Sequence, residues 1–527
     1  MNHKQSITSP STLNLRGILC GVALSVPVIA TGQTTGFTGI KPYAVSVSSE
    51  YAIQPILSVG DQVPNTSDPS KLYQMVGIPD GLGATKGKKN STVLFMNHEL
   101  GNALTSEPNV GGALNRGAFV SRFILDKDGM VLSGERAYNT VHNEETGATL
   151  PAPEVGNATP GFGRFCSASL SYKEAGFDRP IYFTNEESAP GQVFDPKGAM
   201  AWAVFDNEIH SLVKHGRFAW ENALVRPDAG ELTVVIGMED GPATLDNQLY
   251  MYVGKKNKSK NASVLSRNGL NTGKLYTFVS DTAGKTGEDN FTTGSITGHW
   301  EELPDQTSVD GATLETQTDA KGAFTFVRVE DGAWSKSDKN KFYFVTTGSG
   351  GPNQLGRAYQ LDFDKKNILG TTKLTLVYNG DTVAAGGGDI GFAPDNIDVS
   401  KEFLMVCEDG TSQSRPQYAS RAREGSIWRH DLKNEFAATR IVELNPPGTA
   451  IAVGQTAPPA VTAGIWETSG IIDSSDFFGK DSWLFVVQAH SPTIAPVANT
   501  VEDGQLLLMR PATTSRANRG DSGIDFK

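Results

Sequence analysis

The sequence predicts an all-β, propeller-like fold, and three observations predict it. Short strand-type segments recur along the chain, at residues 91–96, 180–184, 232–236, 341–346, 403–406 and 482–487, most running into a Gly, Asn, Asp or Glu turn. A second pattern sets an aromatic or apolar strand after a turn, at residues 246–252, 272–278, 356–361, 425–430 and 503–509. The 57 glycines and 27 prolines supply turns throughout and disfavour a mainly helical chain. Such a recurrence suits blades, small sheets that close their faces only against neighbours in a ring. The spacing is too uneven to count them.

The first residues predict an export signal over 1–31: Lys4 and Arg16 lie ahead of an apolar run at 17–30 that is too short for a dependable membrane span. Its removal leaves a chain expected to be periplasmic or secreted, with no integral membrane segment. Residues 32–90 are expected to be an extension leading into the domain, 91–510 the propeller, and 511–527 a loosely ordered tail. Polar stretches at 257–271, 281–310, 384–391 and 412–423 have the composition of rim insertions. Beyond the signal only Cys166 and Cys407 remain, too few for a disulfide scaffold but enough for one bridge. With 58 acidic against 46 basic residues and a net charge of −12, nonspecific nucleic-acid binding is disfavoured and cation binding is compatible. No phosphate-binding Gly-rich turn in a strand–helix setting supports a nucleotide cofactor.

The chemistry-bearing residues are spread along the chain. Cys166 stands in the Gly-rich turn Gly161-Phe-Gly-Arg-Phe-Cys-Ser-Ala168, and acidic turns follow at Asn185-Glu-Glu187, Trp220-Glu221, Glu239-Asp240, Arg328-Val-Glu-Asp331 and Pro394-Asp-Asn396. A thiolate holds a transition metal and carboxylates suit hard cations or bridge two ions, so a fold that gathered these turns would build a mixed metal centre. Taken singly, each is an ordinary surface turn.

The ordered set of motifs resembles the PhoX family of bacterial extracytoplasmic alkaline phosphatases. Gly163-Arg-Phe-Cys-Ser-Ala168 is similar to the family's cysteine loop, Phe183-Thr-Asn-Glu-Glu187 to its paired glutamates, and His215-Gly-Arg-Phe-Ala-Trp-Glu-Asn222 to its Gly-Arg-Phe loop. Phe326-Val-Arg-Val-Glu-Asp-Gly332 resembles the Arg-Pro-Glu-Asp loop, while Val406-Cys-Glu-Asp-Gly410 and Leu484-Phe-Val-Val-Gln-Ala-His490 extend the match. Trp220 stands where the family commonly has His, Val329 where it has Pro, and Ser167-Ala168 where Gly-rich sequence is usual.

The resemblance implies a six-bladed propeller with iron and calcium on its axis, hydrolysing phosphate monoesters. By motif, Cys166 would ligate iron, Glu221 and Glu330 would bridge metals, and Arg328 would bind the substrate phosphate through paired charge-assisted hydrogen bonds. Asn97, Glu99, Glu187, Asp240 and Asp395 are further metal-ligand candidates. The expected partners are metal ions and a small phosphate ester, and Ser167 is not expected to be the nucleophile. Three alternatives stay open: an exported noncatalytic calcium-binding propeller, a phosphodiesterase, and a hydrolase of another ester.

Overall fold

Strands such as Ile181–Glu186 and Trp483–Ala489 are buried along their whole length. A strand without an exposed face belongs to a sheet covered on both sides. The computed structural model describes residues 37–410, 425–444, 465–490 and 499–512 and shows how that cover is provided. Six antiparallel blades stand around an axis. Their inner strands are Pro79–Lys86, Phe165–Ser171, Trp220–Val225, Val329–Trp334, Pro394–Val399 and Glu467–Asp473, for blades 1 to 6 in chain order. Each inner strand packs on the next, and the sixth packs on the first, so the ring closes.

The core follows from that arrangement, with one apolar cluster between each adjacent pair of blades. Phe183 and Tyr250 meet between blades 2 and 3, Ile236 and Phe344 between 3 and 4, and Phe119 and Trp202 between 1 and 2. Met405 and Phe485 fill the fifth junction, Leu94 and Leu506 the junction that closes the ring, and Val345 and Leu404 the fourth. The all-β, six-bladed expectation is met, and the blade count that spacing left open is set by these junctions.

The segment read as an extension, 32–90, supplies structural strands. Tyr51–Ser58 pairs with Asp503–Pro511 as the outer strand of blade 6, and Ala44–Ser46 pairs with Ala437–Leu444 at the edge of blade 5. Pro79–Lys86 from the same segment is the inner strand of blade 1. A strand pairing is non-local, so an N-terminal stretch that looks like a lead-in can close the ring on the C-terminal one. Blades 3 and 4 share an edge treatment too: Ser295–Glu302 pairs with Lys274–Ser280 on one side and Thr372–Asn379 on the other. The predicted export signal, the 412–423 insertion and the tail beyond residue 512 lie outside the described residues.

Leu507 is fully buried at the blade 5–6 junction. Leu507→Ala is expected to cost about 2–5 kcal/mol in urea-induced unfolding, the usual range for such a cavity. A chain beginning at Val59, which strips one edge of the Asp503–Pro511 strand and leaves it paired only with Trp483–Ala489, is expected to lose its cooperative thermal transition altogether.

Candidate metal centre on the propeller axis

The first hairpin of each blade repeats one local device. In blades 1 to 5 the pairing of the inner strand with its neighbour slips at a bulge just after its first residue, between Pro79 and Leu82, Phe165 and Ala168, Trp220 and Ala223, Val329 and Gly332, and Pro394 and Ile397. A bulge re-aims side chains, and here the first residue of each bulge is Asp80, Cys166, Glu221, Glu330 or Asp395. Glu467 opens the inner strand of blade 6. Directly after the second strand of blades 1, 2, 3 and 5 comes another set: Glu99, Glu187, Asp240 and Asp409. The backbone N–H of each is donated to the carbonyl just ahead of the inner strand, to Ile78, Arg164, Ala219 and Ala393 respectively, at 2.8–3.0 Å. His490 follows the corresponding strand of blade 6.

Most of the donors in these two rings face one cavity of about 280 Å³, lined by Cys166, Glu99, Glu187, Asp240, Glu330, Asp395, Asp409, Glu467, Arg164, Arg328 and His490 among others. Asp80 and Glu221 are buried and join the lining residues in three groups that each bring three ligand atoms inside 4.8 Å of one another: Asp80, Glu99 and Cys166; Cys166, Glu187 and Glu221; Glu221, Glu330 and Asp395. Shared members join them into one chain of donors.

Four residues sit at positive φ immediately before inner strands: Ile78 (54°), Arg164 (40°), Arg328 (57°) and Ala393 (50°). Such a backbone costs roughly 1–3 kcal/mol per residue and persists where its surroundings over-determine it. Two of the four are the arginines that face the cavity. Arg164 donates from Nε to Glu99 at 2.6 Å and pairs with Glu187 at 2.9 Å. Arg328 holds Asp240 with two bonds, at 2.9 and 2.7 Å, and lies 3.2 Å from Glu330 and 3.7 Å from Asp409.

Beneath the first ring a buried network fixes it. Asn396 Nδ2 donates to Ser167 Oγ at 2.6 Å, Ser469 Oγ to Asp80 at 2.7 Å, and Asn222 Nδ2 to Asp331 at 2.7 Å. Gln488 Nε2 donates to both Asp80 (3.1 Å) and Glu99 (3.0 Å). Ser167 donates to Glu221 and is thereby committed as a support. Inner strands approach closely here: a Cβ on Gly81 would lie 2.3 Å from the backbone nitrogen of Ala168.

The electrostatics are one-sided. Burial first, then neighbouring charge, pushes Glu187, Glu221, Glu330 and Asp395 well above the usual carboxylate range and raises the Cys166 thiol as well. Burial and the charge of Glu99 push Asp80 up to about 7, and burial takes Glu467 to about 8. Glu221 Oε2, Glu330 Oε1 and Asp395 Oδ1 are buried without a hydrogen bond. Buried carboxylate oxygens that lack hydrogen bonds and converge within one group are what a cation would satisfy, with Arg328 beside Glu330 Oε1, and the donor set, oxygens with one sulfur, fits hard cations beside one thiophilic ion.

The structure thus brings Cys166, Glu221, Arg328, Glu330, Glu99, Glu187, Asp240 and Asp395 together. Asn97 it does not. Its amide donates to Cys166 O at 2.7 Å while its oxygen accepts from Tyr182 and Thr184, both at 2.9 Å, so it braces the cysteine loop from behind. His98, buried on Ser121 and Gly77, is likewise structural. Cys407 lies in an interblade core, and both it and Cys166 are free thiols. Sequence reasoning missed Asp80, Glu467, Asp409 and Arg164. A signal existed for two: Pro79-Asp80 repeats Pro394-Asp395, and Trp466-Glu467 repeats Trp220-Glu221. The departures from the family pattern are absorbed by packing, with Trp220 and Val329 both buried in interblade clusters.

Fold and site together describe a propeller with an acidic, thiol-bearing centre on its axis. The profile of the family described as Alkaline phosphatase PhoX matches residues 204–444, which bears out the resemblance carried by the motifs. Among solved structures, the chain is similar to Pseudomonas fluorescens PhoX in complex with vanadate, a transition-state analogue. Identity is 16%, with 91% of this chain and 98% of that one covered and a TM-score of 0.61. The GH93 α-L-arabinofuranosidase of Fusarium graminearum follows at 10% identity, with 88% and 98% covered and a TM-score of 0.40. A search of curated proteins finds no match.

A carboxyl whose pKa is raised in the folded state keeps a proton that the unfolded chain has already lost near pH 4, so folding stability falls as pH climbs from there through the folded value. With Asp80 at about 7 and Glu467 at about 8, the chelator-treated chain is expected to show a falling melting temperature between pH 5 and 8. Calcium added at pH 8 is expected to restore it, by differential scanning fluorimetry.

Proposed function

We propose that the chain is an exported, metal-dependent hydrolase of phosphate monoesters, and that iron and calcium occupy its axial centre. The observation that carries this reading is the convergence of buried carboxylates and one thiol from all six blades on a cavity whose mouth holds two arginines. Cys166 would hold iron, with Glu221 and Glu330 as bridging carboxylates. Glu99, Glu187, Asp240 and Asp395 offer oxygen donors suited to calcium. When bound, such ions supply Lewis acidity and charge neutralisation at the phosphoryl group.

The remaining work falls to the chain's own groups. Arg328 presents a planar guanidinium on the cavity and is the residue expected to grip phosphate oxygens; Asp240, its bidentate partner, sets the plane of that fork. Arg164, its counterpart one blade pair away, stands at the same backbone position with its side chain 48% exposed, placed to meet an arriving anion. His490 adds a third cation: burial works against its charge, but Glu467 and Glu502 hold its pKa up to about 10. At about 280 Å³ the cavity falls just below the range of pockets that enclose drug-sized ligands, so it suits the phosphoryl head and leaves most of the alcohol outside. A site of this size is expected to select the ester type more than any particular leaving group. No described helix is long and apolar enough to cross a membrane, which is compatible with the proposed periplasmic or secreted location.

Purified chain, assayed for metal content and for turnover of p-nitrophenyl phosphate against its bis-ester, tests this. Monoester turnover with bound iron and calcium is expected. Bound calcium without turnover of any ester would favour the noncatalytic propeller, and preferential bis-ester turnover a diesterase.

Glu330→Gln is expected to lower kcat/KM by about 100-fold or more with loss of metal, since an amide cannot replace the charge of a buried ligand. Lys341→Gln, whose ion pair with Asp362 joins the second and third strands of blade 4 outside the cavity lining, is expected to stay within about twofold. Arg328→Lys, which keeps charge but not the fork, is expected to raise KM by about 10-fold. Unchanged turnover and metal content in Glu330→Gln would overturn the assigned centre.

A further inference from the structure

Blade 2 carries two strands more than a four-stranded blade. Thr140–Asn143 pairs in parallel with Glu208–Ser211, the fourth strand, and Ala148–Pro151 pairs outside it. That parallel register sets His142 directly opposite His210, and the two-residue period of the strand puts Glu208 on the same face as His210. The imidazoles stack at 4.3 Å with 5° between their planes, and Phe205 stacks on the other side of His210 at 4.4 Å.

Both rings aim Nε2 at one carboxylate oxygen. Glu208 Oε2 lies 3.4 Å from His142 Nε2 and 3.2 Å from His210 Nε2. His142 Nε2 is shielded from water yet makes no hydrogen bond. Each opposite nitrogen has its own partner: Glu144 Oε1 sits 2.8 Å from His210 Nδ1, and Thr149 Oγ1 3.4 Å from His142 Nδ1. His210 Nε2 is itself hydrogen-bonded to Glu208 Oε2 at 3.2 Å, a bond given up when an ion enters; Glu144 taking the Nδ1 proton of His210 then leaves the Nε2 lone pair for the metal, as second-sphere carboxylates do for ligating histidines.

The geometry points to a second metal site, a His142–His210–Glu208 clip for a borderline divalent ion of the zinc class, separate from the axial centre. Ligand atoms about 2.0–2.1 Å from a tetrahedral ion stand roughly 3.3 Å apart, which matches the two histidine–carboxylate separations, and the stacked imidazoles turn out of parallel on binding so that both lone pairs meet the ion. All three ligand atoms lie within 4.8 Å of one another. Two imidazoles and one carboxylate leave a further coordination position, and the Glu208 side chain is 41% exposed, so the ion would be reached from solvent and completed by water. The site lies three to four strand spacings out from the inner strand, roughly 15–20 Å. What it would do is mechanical. His142 belongs to the added hairpin and the other two ligands to the blade proper, so an ion here ties the hairpin to the blade. This inference does not depend on the reaction performed at the axis.

The test is a zinc titration by calorimetry on the full-length chain already loaded with its axial ions. One additional Zn²⁺ site is expected, weakened at least tenfold in His142→Ala and in His210→Ala, and by a smaller factor in Glu144→Gln, with esterase kcat/KM unchanged in all three. Zn²⁺ should raise the melting temperature of the parent chain and not that of the histidine variants. Should a variant fail to fold, carbethoxylation of the parent chain mapped by mass spectrometry replaces it: Zn²⁺ is expected to slow modification of His142. Zinc uptake identical in parent and variants, no uptake beyond the axial ions, or unprotected His142 would each overturn the proposal.

Discussion

Like charge held together on the axis is the constraint on which the rest of this structure depends. Asp80, Glu221, Glu330, Asp395 and Glu467 are all buried around Cys166, with Glu99, Glu187, Asp240 and Asp409 above them, against two arginines and a histidine. Desolvated ions of one sign repel strongly in a medium of low polarity, and burial of each costs several kcal/mol unless it is paired. The ring of interblade cores supplies the opposing force. Six apolar junctions, each closed by residues from two blades, hold the inner strands at their spacing whatever the charges would prefer.

That division of labour explains why the donors sit where they do. Blades 1 to 5 deliver one residue at a bulge, and every blade but the fourth delivers one just past the second strand; these are the places where a strand can present a polar side chain without breaking its buried apolar faces. Glu186 and Glu408, one residue short of the upper ring, show the contrast. Glu186 accepts two backbone N–H groups and a Trp indole, Glu408 a backbone N–H and a Trp indole, all at 2.7–3.1 Å, and so both are consumed in holding the hairpin rather than left facing the cavity. A one-residue shift along the strand separates a structural carboxylate from one that faces the cavity.

Arg164 and Arg328 occupy matching positions in blades 2 and 4, both with left-handed backbones, and each is engaged by carboxylates of the upper ring. Their grip on those carboxylates is what keeps them over the cavity. It also couples them to the centre, because any cation that draws Glu99, Glu187 or Asp240 toward itself competes with a guanidinium for the same oxygens. Anion binding at the mouth and cation binding below are thereby linked through shared side chains rather than through distance.

The class of the fold and most of the chemistry were legible in residue order. Strand-length apolar runs ended by turns are local patterns, and residue types such as a thiol in a glycine loop and carboxylates at strand ends carry their chemistry wherever they fall. Which of them meet was settled by the packing of the blades. Asp80 and Glu467 had the same local setting as Asp395 and Glu221, but nothing local says that the first and sixth blades lie side by side; that follows from Tyr51–Ser58 pairing with Asp503–Pro511 across nearly the whole chain. Asn97 shows the converse. Its position at the end of a strand resembled that of a ligand, and it became a brace because Tyr182 and Thr184, brought in by the next blade, took both lone pairs of its oxygen. Strand periodicity is written in neighbours a few residues apart, whereas ring closure and the sharing of an axis are written in contacts hundreds of residues apart, and those are fixed only when the interblade cores pack.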